Sequence, residues 1–213
     1  MKKLVCGCVC LGVFLCLGTL ASAMVEGVHE ERTNWRLTYP VVTTEDPRAQ
    51  ENIRKDLASH IDALRADFDQ GKYYSCGGNY KVHYEDDDIL SISLYMTRYP
   101  FRANGNHTRS IDIVYDKRTG ERIPLSHYVK VTAEDLDYYK YGHTYSQGGE
   151  SVPANAIWEN SIKAVPENYF LPGGGIVCVV FAPYDRAPGV YGATYIELDP
   201  EYIEYLNRKN QWM

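Results

Sequence analysis

Between Ile89 and Tyr99 the chain reads ILSISLYMTRY, with Leu90, Ile92, Leu94 and Met96 at one parity and Ser91, Ser93, Tyr95 and Thr97 at the other. A period of two sends alternate side chains to opposite faces of a strand, so this run predicts a half-buried strand, apolar on one side and solvated on the other. Lys81 to Glu85 precedes it across Asp86-Asp87-Asp88, which predicts an antiparallel hairpin with a solvated turn. An apolar sheet face must be covered by a second layer. The chain supplies one upstream, where Ile53, Leu57, Ile61, Leu64 and Phe68 recur at steps of four, four, three and four and share one helix face. Asp46 and Pro47 mark the start of that helix and Gly71 its end.

Other segments extend this plan. Trp35–Thr43 (WRLTYPVVT) alternates as a first strand, with Pro40 implying an edge or a bend. Ser110–Asp116 (SIDIVYD) is a further strand, turning at Lys117-Arg118-Thr119-Gly120 into a return arm that ends at Leu125. Thr132 can cap a short helix, Tyr138–Gly149 has loop composition, and Asn155–Ala164 is predicted helical up to Pro166. Ile176–Phe181 and Val190–Leu198 close the set of strands. Strands outnumber helices and few helices alternate with them. The predicted class is α+β, a mainly antiparallel sheet with the amphipathic helix packed on it, built as two small intimate modules.

Residues 1–23 stand apart. Lys2 and Lys3 precede an apolar run, and Ala21-Ser22-Ala23 has the form of a cleavage site, so a secretory signal peptide and a secreted, periplasmic or cell-envelope protein are expected. A membrane anchor is the expectation only if that segment is not cleaved. Beyond it, 20 basic residues face 28 acidic ones, a formal −8. That balance disfavours nucleic acid as a partner and suits a basic one. Four of the six cysteines lie in the signal, leaving Cys76 and Cys178. They could form one disulfide, worth ~4–5 kcal/mol if unstrained. Alternatively Cys178, between Val177 and Val179, is simply a small buried apolar residue.

The region from Tyr115 onward resembles a known family. Tyr115-Asp116-Lys117-Arg118-Thr119-Gly120 with Leu125, then Asn168-Tyr169-Phe170-Leu171, Gly173–Gly175, the strand Ile176–Phe181, and Pro183-Tyr184-Asp185-Arg186-Ala187-Pro188 with Gly192 follow the order of its C-terminal module. The family is that shared by the RsiV anti-sigma factor and the non-catalytic region of PdaC-type peptidoglycan deacetylases, often carrying only a domain-of-unknown-function name. The resemblance implies a PdaC-like N-terminal module over residues 30–104 and an RsiV-like C-terminal module over 105–207. It also implies recognition of a lysozyme-like protein or of peptidoglycan. Only Met1, Lys2 and Lys3 precede the apolar segment, so a free-standing secreted binder is expected rather than a transmembrane sensor.

Catalysis is not inherited with the resemblance. The histidines at 29, 60, 83, 107, 127 and 143 include no pair four apart, no Cys/His metal arrangement occurs after the signal, and no GxSxG nucleophile elbow is present. No cofactor or metal is expected, and the alternative to a binder is a cell-wall carbohydrate hydrolase or deacetylase using carboxylates in a cleft. Candidate binding residues are His107, which the resemblance keeps, and the loop cluster Tyr138, Tyr139, Tyr141 and Tyr145. Tyr184, Asp185 and Arg186 join them from the segment FAPYDRAPGVYG, in which Tyr184 is expected to pack across a structural crossover and Asp185 and Arg186 to stay exposed.

Overall fold

The structure, a computed structural model, describes residues 24–102, 105 and 107–211. The expected signal segment, 1–23, lies outside them, as does Asn106 beside His107. The fold is α+β. Strands β1 (Met24–Arg32), β2 (Trp35–Thr43), β3 (Ser75–Glu85), β4 (Ile89–Tyr99) and β5 (His107–Asp116) form a five-stranded sheet in that order. Helix α1 (Pro47–Asp69) joins β2 to β3, which pair in parallel over Trp35–Leu37; the other neighbours are antiparallel. Strands β6 (Thr144–Ser146), β7 (Tyr169–Gly173), β8 (Ile176–Phe181) and β9 (Thr194–Leu198) form a second, antiparallel sheet in the order β6-β9-β8-β7. Helices α2 (Ala133–Tyr139) and α3 (Pro200–Lys209) complete the set.

The expected helix starts where its signals lie. Asp46 accepts the Arg48 amide at 2.7 Å, Pro47 fills the first turn, and Gln70 and Gly71 end the helix. Its face of Ile53, Leu57, Ile61 and Leu64 is buried against Trp35, Leu37, Leu90, Ile92, Leu94 and Met96. Each such side chain contributes ~1.5–3 kcal/mol by leaving water.

The other face of β4 departs from expectation. Ser91 and Ser93 are as buried as their apolar neighbours, at 0 % exposure. The second sheet covers them: β7 crosses β3, β4 and β5, and the Leu171 amide donates to Ser91 Oγ at 2.9 Å. The Ser91 hydroxyl satisfies a backbone group at a sheet-on-sheet contact, which in sequence has the same alternation as a solvated face.

Further differences have local causes. Trp35–Thr43 is the second strand, since β1 precedes it from Met24; Pro40 faces β1 beyond the short stretch that pairs with β3. Strand β5 closes the first sheet, which runs from Met24 to Asp116. Asn155–Ala164 is not a helix beyond one 3-10 turn at Ala154–Ala156. Its backbone is drawn into tertiary bonds instead, Trp158 N–H to Arg186 C=O at 2.8 Å and Ile162 N–H to Asp137 Oδ1 at 3.0 Å. The disulfide is absent, with both thiols free and buried. Cys76 belongs to the α1-side core and Cys178 to a cluster with Phe170, Val180 and Ala193, so each fills its own apolar site.

The Tyr115–Leu125 motif ties the first sheet to α1. Asp116 accepts the Arg118 and Thr119 amides, Thr119 C=O accepts from Asn52 Nδ2 at 2.9 Å, and Asp56 takes both the Tyr115 hydroxyl at 2.6 Å and the Arg122 guanidinium at 2.7 and 2.8 Å. Burial alone would raise the Asp56 carboxyl, yet these donors bring it below the usual carboxylate range.

Candidate binding site

Where the two sheets meet, polar side chains collect that the sequence marks only as strand residues. Asp112, Ser93 and Ser110 come from β5 and β4, and Ser93 lies opposite Asp112 in register. The pairing of β3 with β4 slips between Val82 and Tyr84, leaving His83 as a bulge residue. Bulges re-aim side chains, and His83 Nε2 lies 2.7 Å from Ser93 Oγ. Ser93 donates to Asp112 Oδ1, and Ser110 donates to Oδ2 at 2.9 Å. With the Ser93 proton spent on the carboxylate, His83 donates its Nε2 proton to Ser93.

Burial sets the charges. Asp112 is 7 % exposed, and burial raises its carboxyl above the usual range against the opposing pull of the two serine hydrogen bonds. Burial, with the Lys81 charge adding to it, lowers His83 to about 4, so the imidazole is neutral at pH 7. Burial likewise pushes the Tyr195 hydroxyl up to about 12. Groups with displaced pKa values gathered at a cavity mark a site worth testing for function.

The cavity here holds about 190 Å3. The first sheet contributes Lys81, His83, Tyr95 and Asp112; Phe170, Thr194 and Tyr195 come from the second. Three of its lining rings are in contact, His83 stacked on Phe170 at 4.0 Å and Phe170 edge-on to Tyr195 at 5.1 Å, and Tyr195 stacks outside it with Tyr145 at 5.6 Å. Thr194 Oγ1 is fully buried and has no hydrogen-bond partner among the described residues.

Serine, histidine and aspartate suggest acyl transfer, but their order is wrong for it. A nucleophilic serine needs the imidazole between itself and the carboxylate. Here the serine lies in the middle, at 0 % exposure, giving its proton to Asp112. The trio pins three neighbouring strands, and two of its members, His83 and Asp112, line the cavity. Among the described residues no group of three or more His, Cys, Asp or Glu side chains is placed to hold a metal.

The residues singled out in sequence are dispersed. His107 opens β5 on the first sheet, exposed and opposite Arg98, whereas the tyrosines lie around the second. Tyr145 stacks on Tyr195, a lining residue of the cavity, without lining it itself. Tyr139 is held between His143 at 3.7 Å and Tyr202 at 3.8 Å, its hydroxyl donating to Asp199 at 2.7 Å. Tyr138 and Tyr141 stand on the surface at 84 % and 46 % exposure. Tyr138 shares a surface groove with Tyr202, Tyr205, Glu134 and Lys209.

In the crossover, Tyr184 adopts a left-handed backbone (φ 69°) and its ring lies against Gly189, where an added Cβ would fall 2.2 Å from Cζ. Asp185 is exposed as expected and accepts the Ala182 amide at 3.2 Å. Arg186 corrects the expectation. It is 9 % exposed, its Nη1 donates to Asn160 C=O at 3.0 Å, and its guanidinium lies 5.7 Å from the Phe181 ring centre. It holds the 158–162 segment through Asn160.

His83, Ser93, Asp112 and Thr194 were missed in sequence. The one signal available was an aspartate inside the β run SIDIVYD, flanked by isoleucines, since a carboxylate in such a run faces either water or a buried partner.

No protein-family model matches this sequence, and no curated protein matches it either. Solved structures do. A DUF3298 family member from Bacteroides fragilis has 12 % sequence identity and a TM-score of 0.58 over 86 % of this chain and 92 % of its own. A DUF3298 family protein from Pseudomonas aeruginosa has 11 % identity and a TM-score of 0.57 over 85 % of this chain and 92 % of its own. At such identities the likeness is one of fold, which by itself carries no activity. The chain shares the α+β fold of these DUF3298 proteins.

Proposed function

We propose that this chain is an exported binding domain of the cell envelope that recognises peptidoglycan without turning it over, seating one sugar ring between the two sheets. The cavity carries the reading. It sets the rings of Phe170, Tyr95 and Tyr195 beside Asp112, His83 and the unpartnered Thr194 hydroxyl. Sugar rings offer apolar faces to aromatics and hydroxyls to such polar groups. At about 190 Å3 the cavity is small beside the ~300–1,000 Å3 of sites for drug-sized ligands, which favours a single ring. Hydrolysis of a glycosidic bond uses two carboxylates across the bond, and Asp112 is the one carboxylate among the lining residues.

A second reading, a basic lysozyme-like protein as partner, has its own support. Exposed Tyr138 and Tyr205 sit beside Glu134 on an acidic chain, and aromatic residues anchor protein interfaces. Co-sedimentation with purified peptidoglycan, run beside a lysozyme pull-down, separates the two. The glycan reading expects sedimentation that Tyr195→Ala abolishes and Tyr138→Ala spares. Lysozyme capture lost with Tyr138→Ala instead moves the function to the surface groove, and retention of neither partner overturns both readings.

A further inference from the structure

The two ends of the first sheet differ in charge. One end gathers the β3–β4 turn and the close of β5, with Glu85, Asp86, Asp87, Asp88 and Asp116. The start of β1 at Met24 lies there as well, because β1 is antiparallel to β2 and β2 is parallel to β3. The opposite end gathers the start of β3, the end of β4 and the start of β5, where the register sets Ser75 beside Tyr99 and Arg98 beside His107. No acidic residue occurs between Ile89 and Ile111, a stretch that holds Arg98, Arg102 and Arg109, and Lys72 joins them from the approach to β3. On a chain with more acidic than basic residues, this concentration of positive charge is local.

Its neutralisation is incomplete. Lys72 and Arg98 share one carboxylate, Asp67, at 3.0 Å each. The other acids nearby are engaged, Asp69 by Arg32 at 2.9 Å and Glu31 by Arg36 at 2.6 Å. Arg102 and Arg109 are exposed and form no ion pair among the described residues. Aromatic rings stand among these cations. Tyr74, 55 % exposed, meets Phe101, 58 % exposed, edge-on at 5.9 Å. Tyr99 is exposed beside them, and its carbonyl accepts the Tyr74 amide at 2.8 Å. Large apolar side chains grouped on a surface and rimmed by polar ones mark an interaction site.

Shape narrows the occupant. These residues line neither the cavity between the sheets nor the groove at Tyr138. They are also absent from the largest cleft, about 660 Å3, which lies beside β5 and has Asp112 in its lining. A linear polyanion is typically tracked along a basic groove, whereas rings projecting among cations suit a flat anionic surface. At a bilayer, tyrosine rings sit at headgroup level and basic side chains are drawn to anionic lipids. We propose that this end of the first sheet docks on an anionic lipid surface, with Tyr74 and Phe101 entering the headgroup boundary and Arg102 and Arg109 meeting lipid phosphates. The contact is peripheral. It turns the acidic end and Met24 away from the bilayer and makes no use of residues 1–23. It is independent of the glycan reading, whose cavity none of these residues lines.

The test is co-sedimentation of residues 24–213, which carry every described strand and helix, with vesicles of phosphatidylcholine alone or mixed equally with phosphatidylglycerol. Binding is expected to the mixed vesicles only, and it should vanish in molar salt, where the screening length shrinks to ~3 Å. Arg102→Gly combined with Arg109→Gln should weaken it about thirtyfold. Glycine suits the left-handed backbone of residue 102 (φ 60°), so this loss would not reflect unfolding. Phe101→Ser should weaken binding as well. Arg48→Gln combined with Arg118→Gln removes the same charge at the acidic end and should leave binding unchanged. Equal binding to both vesicle types, binding to neither, or equal losses in the two arginine pairs overturns the proposal. Capture by soluble dextran sulfate that Phe101→Ser leaves intact, without vesicle binding, also overturns it and assigns this end to a polyanion.

Discussion

A Cβ atom on Gly120 would lie 2.3 Å from the carbonyl oxygen of Ala49, so the turn after β5 meets the first turn of α1 backbone against backbone. The residue also has φ of +73°, a conformation costly for any side chain. Gly120→Ala should lower stability by about 3 kcal/mol, read as a shifted urea midpoint with unchanged slope. A loss of under ~1 kcal/mol would mean that helix and turn can separate freely.

The same junction depends on Asp56. Tyr115 is fully buried and places its hydroxyl 2.6 Å from that carboxylate. Tyr115→Phe should cost about 1.5 kcal/mol, and Arg122→Ala about 1 kcal/mol because its guanidinium is half exposed. The double variant should cost more than the sum, since the two donors share one acceptor; strict additivity would argue that they act independently.

His83 gives a pH signature. Its folded value, about 4, lies below the unfolded value near 6.5. Between those limits the unfolded chain binds a proton that the folded chain does not, so stability falls as pH drops from 6.5 to 4. The loss approaches roughly 3 kcal/mol from this group alone. Asp112 acts in the opposite sense. Its raised carboxyl makes the folded state relatively more stable toward low pH, and it offsets part of that loss. Melting curves of wild type and His83→Gln between pH 7.5 and 4.5 isolate the imidazole. The variant should show the smaller acid destabilisation, and parallel pH profiles would contradict the buried neutral imidazole.

Thr194 separates stability from recognition. Its hydroxyl is buried without a partner among the described residues, a cost of ~1–3 kcal/mol that the isosteric change to valine removes. Thr194→Val should melt at or above the wild-type temperature while losing affinity for peptidoglycan fragments in calorimetry. A variant that is less stable, with affinity intact, would show the hydroxyl to be structural.

Arg186→Ala should destabilise the protein and leave ligand retention unchanged once folded, because its guanidinium holds Asn160. Proteolysis should then nick the chain near residues 158–162, the segment that loses its anchor. Full stability of that variant, with binding lost, would return Arg186 to the recognition surface.

The helix and the strands on its side of the sheet were legible because one-sided burial imprints a period on the sequence. Asp46, Pro47 and the Ile53–Leu64 face lie where those signals put them. The polar layer of Ser91, Ser93 and Asp112 was not legible, because a serine buried under a second sheet and a serine facing water give the same alternation. Asn155–Ala164 was misread because distant groups, Asp137 and Arg186, take its backbone bonds. The tyrosine loop shows the same limit. Tyr139, Tyr141 and Tyr145 are close in sequence, but stacking on Tyr202 and Tyr195 sends the first and last to different neighbourhoods.

Asp112 turns its carboxyl to one cavity and its amide and carbonyl to another. Its side chain can be changed, yet its backbone cannot be removed by any substitution short of proline, and proline would disturb both spaces together. Genetics at this position will therefore report on the cavity between the sheets while remaining nearly silent about the strand edge. A screen that ranks positions by side-chain replacement would pass over that edge altogether.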